Sequence, residues 1–194
     1  MLSKFPYFAV LDFNEKNALY KRFWQIFHIL ERFYQSAEYF GENDYRIIIG
    51  NKYFLDVSNP NEFFDPTTKN KDARIFITPL LNRAPYVLKL LKTLKITVVE
   101  LAYASLLALW FCFELDEISD IAQKFADEIL KKASDGLHEY YVKDLHNSNY
   151  ALRQAELFKL IKIIECFARD RRNLLTANNI FNFSEKVFNF GAFI

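Results

Sequence analysis

The stretch Leu101–Phe113, LAYASLLALWFCF, carries no charge between Glu100 and Glu114, and its reading decides the fold. It is too short to cross a bilayer as a helix, which takes about 20 apolar residues. As a helix rising about 1.5 Å per residue it spans roughly 20 Å, the width of a small domain core. The stretch therefore predicts a central helix buried on nearly all sides, with other helices packed around it. Leu107 and Phe111 should be almost fully buried, and Phe111→Ala should cost about 3–5 kcal/mol.

The flanking segments supply helices able to cover such a core. Upstream, Asp12 and Glu15 have the spacing of an N-terminal cap pair, with Asn14 as an alternative cap. Leu19, Phe23, Ile26, Leu30, Phe33, Ala37 and Phe40 then recur at alternating steps of four and three, up to a stop at Gly41. Pro79 and Pro85 suit helix starts, ahead of an amphipathic helix carrying Val87, Leu88, Leu91 and Leu94. Downstream, Leu115-Asp116-Glu117 reads as a turn opening a helix over Ile118–Lys132, with Ser134-Asp135-Gly136 as its stop. A last helix, capped by Asn147 or Ser148, carries Leu152, Ala155, Phe158, Ile161, Ile164 and Phe167.

One region breaks the helical pattern. Tyr45–Val57, YRIIIGNKYFLDV, places two β-branched or aromatic runs either side of Gly50-Asn51, which favours a small β-hairpin over a short helix. The polar, Pro- and Asn-rich segment that follows reads as a loop. The expected fold class is mainly α: about six to eight helices bundled around a buried central helix, with the hairpin near 45–57. A single domain, 1–194, is expected, with sub-bundles 1–58 and 79–194 joined by a polar loop over 59–78 where a partner could dock.

Composition excludes several functions. Twenty-five basic residues balance 24 acidic ones, which argues against a dedicated nucleic-acid binder. The 21 Phe and 11 Tyr suit either an aromatic core or an interaction surface. Cys112 and Cys166 sit in apolar helical patterns and read as reduced thiols, with a disulfide between them as the alternative. His28, His138 and His146 are not grouped with the cysteines, so no metal site and no cofactor is expected. The N-terminal stretch lacks the pattern of a signal peptide, because Asp12 interrupts its short apolar patch.

Catalytic constellations are sparse. There is no Gly-rich phosphate loop, nucleophile elbow or HExxH, and no catalytic residue is assigned. Arg22 and His28 have the Arg-x5-His spacing of HEPN-type ribonucleases, helical proteins in which such a pair works on RNA phosphates. The alternative is structural, with Arg22 solvated and His28 at the edge of a packed face. The carboxylates Asp116 with Glu117, and Glu165 with Asp170, fit helix ends and solvated faces.

The segment LKLLKTLKITVVELAYASLLALWFCFELDEISDIAQKFADEIL resembles the later part of the cytoplasmic domain of the DotU/TssL family. The likeness rests on Glu100-Leu101 with Tyr103, the run Leu106–Leu109, Phe111 or Phe113, and Ile118–Leu130. The family's glycine before the Phe is replaced here by Trp110 or Cys112. This resemblance implies a non-enzymatic structural subunit of a bacterial type VI, or related type IVB, secretion system. It would act on the cytoplasmic face of the inner membrane with a TssM/IcmF-like partner and the baseplate, anchored through a segment after Ile194. Arg169–Arg172 would suit a site near that membrane. A homodimer is a further partner expectation. The alternative functions are a helical adaptor from a phage or host-interaction system and, less favoured, a HEPN-like ribonuclease using Arg22 and His28.

Overall fold

The computed structural model describes residues 6–50, 53–58 and 71–181. In chain order these form α1 (Pro6–Val10), α2 (Phe13–Tyr39), β1 (Arg46–Gly50), β2 (Tyr53–Asp56), α3 (Lys71–Leu94), α4 (Val98–Trp110), α5 (Asp120–Glu139), a π-helical turn at Tyr140–Asp144, and α6 (Ala151–Phe181). The fold is mainly helical with one antiparallel hairpin, as the sequence pattern predicts. The chain packs as two compact units. The first comprises residues 1–27 and 96–161, and the second residues 28–95 and 162–194.

The first unit is built on α4. Thr97 caps it and Glu100 closes a capping box, the hydroxyl accepting from the Glu100 amide while the carboxylate accepts from the Thr97 amide. This T-x-x-E signature stands directly before the apolar run. One face of α4 (Tyr103, Ala104, Leu107, Ala108, Trp110) is buried, and Phe8, Leu11, Leu19, Ala122, Ala126 and Ile129 form a core with its C-terminal end.

The other face corrects the expectation of a helix covered all round. Val98 and Ala102 are exposed, and Leu101, Ser105 and Leu106 are only partly covered. The apolar run also does not stay helical: α4 ends at Trp110, and Phe111 leaves the helical region at φ −81°, ψ 71°. Leu107 is buried as expected, but Phe111 is 48% exposed, stacked edge-on against Phe113. The fully buried aromatic is its neighbour, Trp110.

Helix α5 starts two residues later than its sequence suggests, because Ser119 provides the cap, its hydroxyl accepting from the Ala122 amide. It then runs through Gly136 to Glu139, since a glycine with open space around it costs a helix only about 1 kcal/mol. At the start of α2, Asp12 and Glu15 make the expected reciprocal cap bonds, 2.8 and 3.0 Å. Glu15 also accepts the Ser119 hydroxyl at 2.5 Å, tying the starts of α2 and α5 together.

In the second unit the hairpin pairs Arg46 with Asp56, Ile47 with Leu55 and Ile48 with Phe54, with an irregularity between Ile48 and Gly50. The Asn51 half of the expected Gly-Asn turn lies outside the described residues. Arg46 stacks over Phe40 and Phe54 at 4.5 and 4.9 Å and is bridged to Asp44, which covers the hairpin's outer side.

Residues 71–78, read from sequence as part of a polar linker, are the first turns of α3, and residues 59–70 lie outside the described residues. Pro79 and Pro85 fall inside that helix rather than at helix starts. Each removes one backbone hydrogen bond. A continuous buried stripe of Ile77, Leu80, Leu81, Ala84, Val87, Leu88 and Leu91 holds the segment helical despite that loss.

Candidate functional site: an apolar pocket with a cationic edge

Two concavities stand out among the described residues. In the first unit, α1, α2 and the partly covered face of α4 border an open groove of about 910 Å³, lined by Phe8, Phe13, Tyr20, Trp24, Leu101 and Leu106. Phe13, Tyr20 and Trp24 are exposed along it, Phe13 by 80%, while Phe8 is buried at its base, and Lys16 is the charged residue on its wall. This groove is what remains of the expected all-round burial of Leu101–Phe113.

The second unit holds a more elaborated pocket. It encloses about 60 Å³ within a recess of about 570 Å³ counted out to its mouth. Its walls are apolar: Ile29 and Phe33 from α2, Ile47–Ile49, Leu55 and Val57 from the hairpin segment, Leu80, Leu81 and Ala84 from α3, and Phe167 from α6. The ring of Phe33 meets Phe167 edge to face at 5.3 Å, fixing the floor. Ser36 secures the hairpin wall, its buried hydroxyl donating to the Arg32 carbonyl at 2.6 Å and accepting the Ile48 amide at 2.8 Å.

Set into these walls are Arg32, His28 and Arg171. Burial, and then the positive charges of Arg171 and Arg32, push the His28 imidazole below its ordinary value. Burial likewise lowers the Arg171 guanidinium. Arg32 Nε is buried and has no hydrogen-bond partner among the described residues. A pocket of this make-up can sequester an apolar body and orient one polar group. No group of three or more metal-ligating side chains occurs among the described residues.

Arg22 and His28, whose spacing offered an RNA-cleaving pair as the lesser alternative to a structural role, serve different neighbours. Arg22 belongs to the first unit and donates to the Ala108 carbonyl at the end of α4, whereas His28 lines the pocket of the second. Six residues of helix put them about 120° apart around α2. Cys112 and Cys166 are both free thiols. Asp170 is bonded by Arg83 at 2.7 Å, a structural use. Arg32, which the sequence sets among the charged residues between the stripe positions, is the pocket residue that the sequence pattern does not mark. The only signal was its place next to Phe33 at the margin of the stripe.

The family model described as the ligand-binding domain of nuclear hormone receptor matches residues 1–181. The chain belongs to that family. Its relatives include three nuclear hormone receptor family members of Caenorhabditis elegans. Against nhr-134 it is 28% identical over 188 residues, 93% of this chain and 46% of the relative. Against nhr-133 it is 26% identical, covering 88% and 43%, and against nhr-213 24% identical, covering 91% and 44%. The chain thus spans under half the length of these curated relatives.

Membership of the nuclear hormone receptor ligand-binding domains overturns the secretion-system assignment. The DotU/TssL resemblance, its TssM/IcmF-like and baseplate partners, and the inner-membrane location are therefore incorrect, as are the phage-adaptor and ribonuclease alternatives. The physical reason lies in the segment that carried the likeness. A capped apolar helix followed by an amphipathic one is the arrangement any two packed helices require, so α4 and α5 satisfy it without kinship. No helix among the described residues is long and apolar enough to cross a membrane. The segment expected to lead into an anchor, 182–194, lies outside them.

Proposed function

We propose that this chain is the ligand-sensing part of a ligand-regulated transcription factor, and that its ligand occupies the pocket of the second unit. It works by binding, without chemistry on the ligand. The observation that carries this reading is the pocket itself: apolar walls drawn from two helices, a hairpin and α3 meet around a recess holding a few polar groups. An occupant would bridge α2, the hairpin, α3 and α6, and so would stabilise this unit over its open forms. Proteins that regulate transcription with the whole receptor are the partners that follow from this role.

The test is binding of an uncharged apolar probe. Addition of 1-octanol to the chain should raise its melting temperature in a saturable manner. Ala84→Phe, which fills the recess from α3, should abolish the rise while leaving the helical circular-dichroism spectrum intact. A melting temperature indifferent to octanol and to other small lipophiles would overturn the reading.

A further inference from the structure

The turn between α4 and α5, residues 111–119, carries a pair of aromatic rings that the core does not use. Its inward side is fixed by packing: Cys112 is buried, and Leu115 and Ile118 pack against the core cluster that contains Cys112 and Trp110. Backbone bonds lock the course of the turn. The Cys112 amide donates to the Trp110 carbonyl and the Leu115 amide to the Cys112 carbonyl, 3.0 Å each, and the Ile118 amide donates to the Leu115 carbonyl at 3.2 Å. The residues between these anchors are left facing water. Phe111 and Phe113 stand either side of Cys112, 48% and 62% exposed, with ring centroids 5.0 Å apart at an interplanar angle of 81°. Glu114, Asp116 and Glu117 are exposed on the same turn, and Asp120 at the first position of α5.

Single exposed apolar side chains are ordinary, but a contiguous apolar surface on a fixed backbone marks a contact site. The charge around this one is of a single sign. Between Lys95 and Lys124 the sequence holds no Lys, Arg or His. Among the described residues, no ion pair engages Glu114, Asp116, Glu117 or Asp120. Lys21 shares a polar recess with Glu117 without pairing to it. The carboxylates do not converge as ligands of a cation would, since no metal-ligating group of three or more occurs among the described residues. The whole chain has a formal net charge of +1, so its overall charge does not draw in a polycation.

One side chain complements both halves of this surface. A guanidinium stacks its flat face on an aromatic ring and bonds a carboxylate with two parallel N–H groups, whereas an ammonium offers only a point charge. Nucleic acids and anionic membranes meet repulsion from the carboxylates. We propose that the α4–α5 turn is a docking surface for an arginine-rich segment of a partner protein, its guanidiniums stacked on Phe111 and Phe113 and paired with Glu114, Asp116 and Glu117. No covalent step is involved. The surface belongs to the first unit, so the proposal stands apart from the pocket of the second.

The experiment titrates fluorescein-labelled hexa-arginine and hexalysine with the chain at pH 7.5 and low salt, followed by fluorescence anisotropy. Hexa-arginine should bind about three- to tenfold more tightly than hexalysine, the margin that stacking on two exposed rings supplies. Phe111→Ala combined with Phe113→Ala should remove that margin. Glu114→Gln combined with Asp116→Asn should weaken both peptides by about three- to tenfold. All four side chains are exposed, so the helical circular-dichroism spectrum should be unchanged.

In parallel, hexa-arginine added to the unmodified chain should shift the amide resonances of residues 111–120 before others, a readout that does not depend on any variant folding. Equal affinity for the two peptides, or shifts centred elsewhere on the chain, would overturn the proposal. So would a failure of hexa-arginine to bind.

Discussion

Arg153 grips Glu100 with Nε at 2.6 Å from Oε1 and Nη2 at 2.8 Å from Oε2, while Glu100 itself is only 1% exposed. The same carboxylate accepts the Tyr141 hydroxyl at 2.7 Å and the Thr97 amide at 2.7 Å. One acidic side chain thus joins the start of α4, the π-helical turn and the first turn of α6, all within the first unit. With four donors around it, its charge is balanced at each oxygen, the condition under which a buried ion is tolerated.

Removing one partner should therefore be costly. Arg153→Met leaves a buried carboxylate with only Tyr141 and the Thr97 amide, and should destabilise the chain by about 3–5 kcal/mol in urea unfolding. Glu100→Leu should also be costly, because it takes the acceptor from the buried Tyr141 hydroxyl and the charge partner from Arg153. The double variant should cost clearly less than the sum, since the apolar pair has no ion left to desolvate. Strictly additive losses would show that the pair is not coupled.

The same site sets an acid limit on stability. Burial alone would raise the Glu100 carboxyl, but the bonds from Arg153, Thr97 and Tyr141 outweigh it and hold it down to about 2, against an ordinary value of 4.5. A carboxyl lowered on folding contributes stability that is complete above its unfolded value and is lost as pH falls toward the folded one. The gap corresponds to about 3 kcal/mol. Urea midpoints should hold between pH 7 and 5.5 and then fall steeply toward pH 2.5. Glu100→Gln should flatten that fall, so that the two proteins converge at the acid end. Parallel curves would assign the acid loss to other carboxylates.

Trp110 and Phe111 test where the core helix ends. Trp110 is fully buried and meets Phe8 edge to face at 6.4 Å, so Trp110→Ala should cost about 3–5 kcal/mol. Phe111, half exposed on the turn after α4, should cost under about 1 kcal/mol as alanine. A reversal of that order would mean that the helix continues through Phe111.

This pair also shows what the sequence could carry. The period of Leu19, Ile26, Leu30 and Phe33, the β-branched runs around Gly50, and the Asp12–Glu15 spacing are local signals, and each became the expected element. What failed needed tertiary information. An uncharged run does not say which residue leaves the helix, so Phe111 and Trp110 could not be told apart. Nothing local announces that Pro79 and Pro85 will be held helical by a buried stripe.

The candidate site was less legible still. Its walls come from α2, the hairpin, α3 and α6, and only the folded chain brings Arg32 and Arg171 to one recess. The family likeness drawn from α4 and α5 used the most widely shared pattern in the chain, and it pointed away from the pocket-bearing unit.

Ser36 links the hairpin to the pocket wall and supplies the last test. Its hydroxyl is fully buried, donating to the Arg32 carbonyl and accepting from the Ile48 amide. Ser36→Ala leaves the Ile48 N–H without its acceptor, a loss of about 1–3 kcal/mol. The effect should be local: hydrogen exchange at Ile48 should quicken by about tenfold or more, while amides in α4 and α5 keep their protection. Because Ile47–Ile49 form one wall of the recess, octanol affinity should fall in the same variant. Unchanged exchange at Ile48 would show that the serine does not hold the hairpin, and that the wall owes its position to apolar packing alone.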